Sequence, residues 1–76
     1  MLVALGRAIA QARDERNLTV DELVALADVS RRNYLYIEGG MIEPKVKTLA
    51  RILAALDVPP EQVMQPMIEA LKIEET

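Results

Sequence analysis

Seventy-six residues, about half of them hydrophobic, make one small domain, and a chain this short buries only about 60% of its unfolded surface. It holds no cysteine and no histidine, which excludes disulfides, the common zinc ligand sets, a histidine-based triad and a thiolate nucleophile. The net charge is −3, which on its own is the wrong sign for a polyanionic partner.

No run alternates apolar and polar residues as a half-buried strand would, so the chain reads as all-α. Met1-Leu2-Val3-Ala4-Leu5 lacks a basic leader and runs straight into an amphipathic pattern, so it is not expected to be a signal peptide. A first helix is expected from Leu2 to Arg16. Leu5, Ala8, Ile9 and Ala12 fall at the spacing of a core-facing stripe. Asn17 suits its end, because Asn tolerates the left-handed cap conformation. A second helix starts at Thr19, where Thr19-Val20-Asp21-Glu22 spells a capping box and Leu23 and Ala27 face inward. Asp28 stands where the chain must turn sharply, and Asp accepts positive φ better than most residues.

Ser30 caps a third helix running to about Glu38, with Val29, Tyr34 and Ile37 inward and Gly39-Gly40 ending it. Arg31 and Arg32 open this helix. The helix dipole makes each exposed cation there cost on the order of 0.3–1 kcal/mol. A phosphate or a guanine edge lying against that helix end reverses the sign, so the placement points toward a DNA reader. Met41 to Pro44 form a short loop. A fourth helix covers about Val46 to Leu56 on the stripe Leu49, Ile52, Leu53 and Leu56. Asp57-Val58-Pro59-Pro60 is the next break. A short fifth helix is expected from Pro60 to Gln65, and Pro66 suits the first turn of a last one. Met64, Met67, Ile68 and Leu71 lie at helical spacing there. They can close over their own core or form half of a two-fold contact, and the dimer contact is the expectation carried forward.

The charge is unevenly placed. Through Val58 the cations and anions balance to zero, and the acid excess (Glu61, Glu69, Glu74 and Glu75 against Lys72) sits wholly in the tail. A neutral body predicts modest non-specific DNA affinity. No glycine loop cradles a phosphate, since Gly39-Gly40 ends a helix, and no two carboxylates converge in a catalytic pattern. The chain is therefore expected not to be an enzyme, with no cofactor and no metal. The longest apolar stretches are too short to span a bilayer, and the lack of cysteine suits the cytoplasm.

LGRAIAQARDERNLT, DELVALADVS, YIEGG, PKVKTLARILAALDV and EQVM, taken in order, resemble the repressor/Cro-like helix-turn-helix regulators of the xenobiotic-response-element type. The matching pieces run from Leu5 to Met64. The resemblance implies an all-α fold, a compact five-helix bundle of the phage-repressor DNA-binding-domain type with an extra C-terminal helical segment. Residues 1–76 are expected to form a single domain, with 1–58 as the core bundle and 59–76 as the C-terminal segment. The third helix is implied to enter the major groove, with Arg31, Arg32, Asn33 and Tyr36 on the facing side. Ser30 is implied as a cap that also touches phosphate, and Lys45 and Lys47 as backbone contacts. Arg13 is implied to pair with Glu38, tying the first helix to the third.

The chain departs from the family at four places. Val20 stands where Gln is usual, Leu35 where a polar residue is common, Met41-Ile42-Glu43 in a loop often polar or basic, and Asp28 at the usual turn Gly. Two functions remain open on the residues. One is a sequence-specific DNA-binding transcription regulator, a homodimer on a two-fold-related operator in double-stranded DNA. The other is a protein-interaction module on the same scaffold with weak DNA affinity, an antitoxin-like or regulator-binding domain with a protein partner. Val20, Leu35, Met41 and Ile42 motivate the second.

Overall fold

Five helices occur in the order α1 (Leu2–Glu15), α2 (Val20–Ala27), α3 (Arg31–Glu38), α4 (Val46–Leu56) and α5 (Glu61–Glu75). The computed structural model describes residues 1–75, among which there is no strand. Thr76, which closes the expected C-terminal segment, and the side chains of Glu74 and Glu75, part of its acid excess, lie outside the described set.

Local chemistry sets most helix ends. Asn17 turns left-handed (φ 56°) behind α1. Its N–H donates to the Asp14 carbonyl at 3.0 Å and the Leu18 N–H to the Arg13 carbonyl at 3.2 Å, which satisfies two orphan carbonyls. Asp28 (φ 56°) and Asp57 (φ 53°) do the same service behind α2 and α4. At the start of α2 the capping box closes: the Glu22 N–H donates to Thr19 Oγ1 at 3.1 Å, and the Thr19 N–H donates to Glu22 Oε1 at 3.0 Å.

The Thr19 backbone N–H first, then the Thr19 hydroxyl, hold the Glu22 carboxyl below its ordinary value. A depressed folded pKa means stability that is complete above the unfolded value and fades as the folded group protonates in acid. Glu22→Gln keeps a capping side chain but removes the titration. Urea unfolding midpoints of the parent are therefore expected to fall faster than those of Glu22→Gln below about pH 4.5. Parallel curves would mean that the box does not hold the charge.

The core forms where the helical stripes meet. Leu5, Ile9 and Ala12 of α1, Leu23 and Ala27 of α2, Tyr34 and Ile37 of α3, and Ile52 and Leu56 of α4 are buried with Val58 and Val63. Helix α1 packs on α5 and α3, and α2 packs on α4 and α3. Gly6 allows α1 to cross α3 closely. A Cβ there would land on the carbonyl oxygens of Ile37 and Glu38 at the end of α3.

The C-terminal segment differs from the sequence reading. The short fifth helix and the separate last one are a single helix, with Pro66 six residues into it. Proline lacks the N–H that would reach the Gln62 carbonyl, and its ring crowds that carbonyl, at a cost of about 3 kcal/mol. Packing overrides this local penalty. Val63 is fully buried, and Met64 and Met67 pack against the same core, so continuity keeps an apolar face on α1.

The expected dimer residues divide accordingly. Met64 and Met67 cover their own core, whereas Ile68 and Leu71 are exposed. The apolar residues that motivate the interaction reading divide too. Val20 and Ile42 pack partly against the core, while Leu35 and Met41 are exposed.

Candidate nucleic-acid interface

The interface begins with the clamp that orients α3. Arg13 Nε donates to Glu38 Oε2 at 3.2 Å, and Nη2 donates to Glu38 Oε1 at 3.0 Å. Its third nitrogen, Nη1, donates to the Leu18 carbonyl at 2.8 Å. One planar fork thus joins α1, the loop after it and the last residue of α3, a geometry that a lysine could not reproduce. The hydrogen bond to Glu38 raises the Arg13 pKa still further above its ordinary value, against a smaller desolvation effect. Tyr34 Oη is buried beside the pair and takes no hydrogen bond. Burial first, then the Glu38 carboxylate, pushes its phenol above the ordinary value.

Ala27, the turn Asp28-Val29-Ser30 and Arg31 form the α2–α3 corner of a helix-turn-helix. Ser30 Oγ accepts from the Asn33 N–H at 3.1 Å and caps α3, with its own backbone extended. Its hydroxyl is therefore engaged in the cap. Arg31, Arg32, Asn33 and Tyr36 all lie exposed along α3. Arg32 Nε donates to the Tyr36 hydroxyl at 3.3 Å, one turn on, and the guanidinium lies 5.6 Å from that ring's centre. The two side chains thus act as a unit, a flat cation backed by an aromatic face.

Arg31 is not the lone cation that the dipole argument supposes. Its Nε donates to Asp21 Oδ1 at 2.9 Å, so a carboxylate of α2 offsets the unfavourable helix end. Asp21 is the neighbour that sequence reasoning missed. Ten residues separate the pair, and no helical or strand spacing connects them.

Lys45 caps α4 through its backbone alone, without a side-chain bond, and Lys47 follows in the first turn; both are exposed. Asn33 and Lys45 line one cleft of about 400 Å³ together with Ile42, Glu43 and Thr48, so α3 and the start of α4 share an edge. The structure therefore brings Arg31, Arg32, Asn33 and Tyr36 onto one helix and joins Lys45 to it through this cleft. Glu43 adds an anion to the same edge. Among the described residues no cluster of acidic side chains could hold a metal ion, and no helix is long and apolar enough to cross a membrane.

The corner, the cap and the clamp define a helix-turn-helix fold. The family described as helix-turn-helix domain matches residues 6–66, most of the chain, and the chain belongs to that family. The residue-level resemblance to repressor/Cro-like regulators and this match point to the same frame. Among solved structures, the chain is similar to the restriction-modification controller protein C.AhdI from Aeromonas hydrophila, known from a high-resolution crystal structure. The TM-score is 0.78 at 22% identity, over 82% of this chain and 94% of that one. At that identity the likeness is one of fold. No curated protein matches the chain.

Proposed function

We propose that this chain is a sequence-specific DNA-binding transcription regulator, not an enzyme, which works in the cytoplasm as a homodimer on a two-fold-related operator. The observation that carries the reading is the exposed edge formed by Arg31, Arg32 and Asn33 at the start of α3 with Lys45 beside them. Arg pairs bidentately with guanine O6 and N7, Asn with adenine N6 and N7, and Lys holds phosphate as a point charge. The fold likeness to a restriction-modification controller supports the choice of a regulator.

Exposed apolar side chains support the dimer. Val46 is 84% exposed and Ile73 76%, and Ile68 and Leu71 lie exposed on α5 as well. So small a domain is stabilised when such residues meet a second copy.

Selection of binding sites from random duplex DNA tests the reading. A homodimer is expected to enrich inverted repeats with half-sites about 34 Å apart. Against the selected site, Arg31→Ala or Arg32→Ala is expected to lose about 1–3 kcal/mol and to relax the preference at one base pair. Lys45→Ala is expected to weaken all duplexes alike and to flatten the salt slope by about one unit. Three variants that bind like the parent would remove the recognition face. An interaction module on the same scaffold keeps Leu35 and Met41 as its exposed apolar support, and a selection that enriches nothing at low salt would favour it.

A further inference from the structure

Asp21 is the second residue of α2 and Arg31 the first of α3, and their side chains meet over the turn at 2.9 Å. The side chains are 79% and 61% exposed, and exposed pairs add little to stability. Holding a long arginine in one rotamer still costs side-chain entropy. Beyond the small offset at the start of α3, folding therefore gains little from this pair.

The atom engaged is informative. Asp21 accepts from Nε, and among the described residues neither Nη of Arg31 donates a hydrogen bond. A guanidinium carries five N–H donors in a rigid plane. With Nε held sideways, the end-on edge remains, and its two parallel N–H groups on Nη1 and Nη2 match guanine O6 and N7. We infer that Asp21 is a positioning residue that holds Arg31 end-on so that its terminal amino groups read a guanine. This rests on Arg31 facing DNA, as proposed above.

Asp21 also carries a charge of the wrong sign for a neighbour of phosphate. The two effects separate by what they act upon. Repulsion falls on every duplex alike and is screened over about 10 Å at 0.1 M salt. Orientation acts only where Arg31 meets a base. A carboxylate that merely shielded the DNA-facing edge would leave base preference untouched.

The test uses the duplex that the parent selects from random DNA, and copies in which each guanine is replaced in turn. Dissociation constants for the parent, Arg31→Ala, Asp21→Ala and Asp21→Asn give a preference at every guanine, and circular dichroism checks that each variant folds. Arg31→Ala is expected to erase the preference at one guanine. At that same guanine Asp21→Ala is expected to lose about five- to tenfold, a share of what a bidentate pair supplies, while random duplex binds as well as before or better. Asp21→Asn, whose amide oxygen still accepts from Nε, is expected to restore the preference and to change only the salt slope. The inference is overturned if Asp21→Ala keeps the preference that Arg31→Ala loses, or if Asp21→Asn loses as much as Asp21→Ala. If Arg31→Ala itself leaves every guanine preference intact, the recognition face falls, and the role of Asp21 with it.

Discussion

Arg13→Ala is expected to lower the unfolding free energy by about 3–5 kcal/mol, read as a fall in the urea midpoint at unchanged slope. A domain of this size holds roughly 4–11 kcal/mol in all, so the variant should sit near its unfolding limit at ambient temperature. Two losses combine. The Glu38 carboxylate, 17% exposed as a side chain, is left without its two charge-assisted bonds. The Leu18 carbonyl loses its donor. Arg13→Lys should recover only part of the loss, since a point charge cannot span both carboxylate oxygens and the carbonyl.

The paired replacement should behave differently. Substituting Arg13 and Glu38 together with Met and Leu removes both desolvated charges at once, and such swaps are often neutral or stabilising by about 1–4 kcal/mol. A double-mutant cycle is therefore expected to show strong coupling, with each single change far worse than the pair. Additive costs below about 1 kcal/mol each would mean that the clamp behaves as a surface ion pair. If the apolar pair keeps its stability but binds DNA less selectively, the charged clamp serves the angle at which α1 holds α3.

Where a structural choice is made within four residues, the sequence is legible. Thr19 with Glu22, Asn17, Asp28 and Ser30 each close or turn the chain through their own side chain or their tolerance of positive φ. The helix ends follow from them directly. The core stripes on α1 and α4 are legible for the same reason, since their spacing is that of the helix itself. Pro66 is the counter-case. The local rule ends a helix there, but Val63, Met64 and Met67 bury one face against α1, and that long-range gain is invisible in the local spacing. The residues of the candidate interface are similarly divided. Arg32 and Tyr36 are one turn apart and predictable as neighbours, whereas Asp21 meets Arg31 only because α2 and α3 cross at the turn.

Gly6→Ala sets a local rule against a tertiary one, and the tertiary one is expected to win. On helix propensity alone the change gains about 1 kcal/mol, because Gly in a helix interior is the poorer former. The new methyl, however, would meet backbone: the carbonyl oxygens of Ile37 and Glu38 and the Glu38 carbonyl carbon, all closer than side-chain carbons approach in folded proteins. Backbone cannot rotate aside as a flexible side chain can. Helix α1 must move off the end of α3, and that movement loosens the Arg13 clamp two turns further along the same helix. Overpacking of this kind costs about 1–3 kcal/mol or more, enough to cancel the propensity gain and leave a net loss. The melting temperature should fall by roughly 4–8 °C for each kcal/mol lost. Gly39→Ala serves as the control. Gly39 has an ordinary φ of −81° and is exposed, and its nearest neighbour, the Leu35 carbonyl oxygen, lies 3.3 Å from the added Cβ, a tight approach that a shift of a few tenths of an ångström relieves. That variant should stay within about 1 kcal/mol of the parent, the range set by the lower entropy of its unfolded chain. A Gly6→Ala protein that melted higher than the parent would mean that α1 and α3 cross with room to spare, and the close approach that fixes α3 would have to be abandoned.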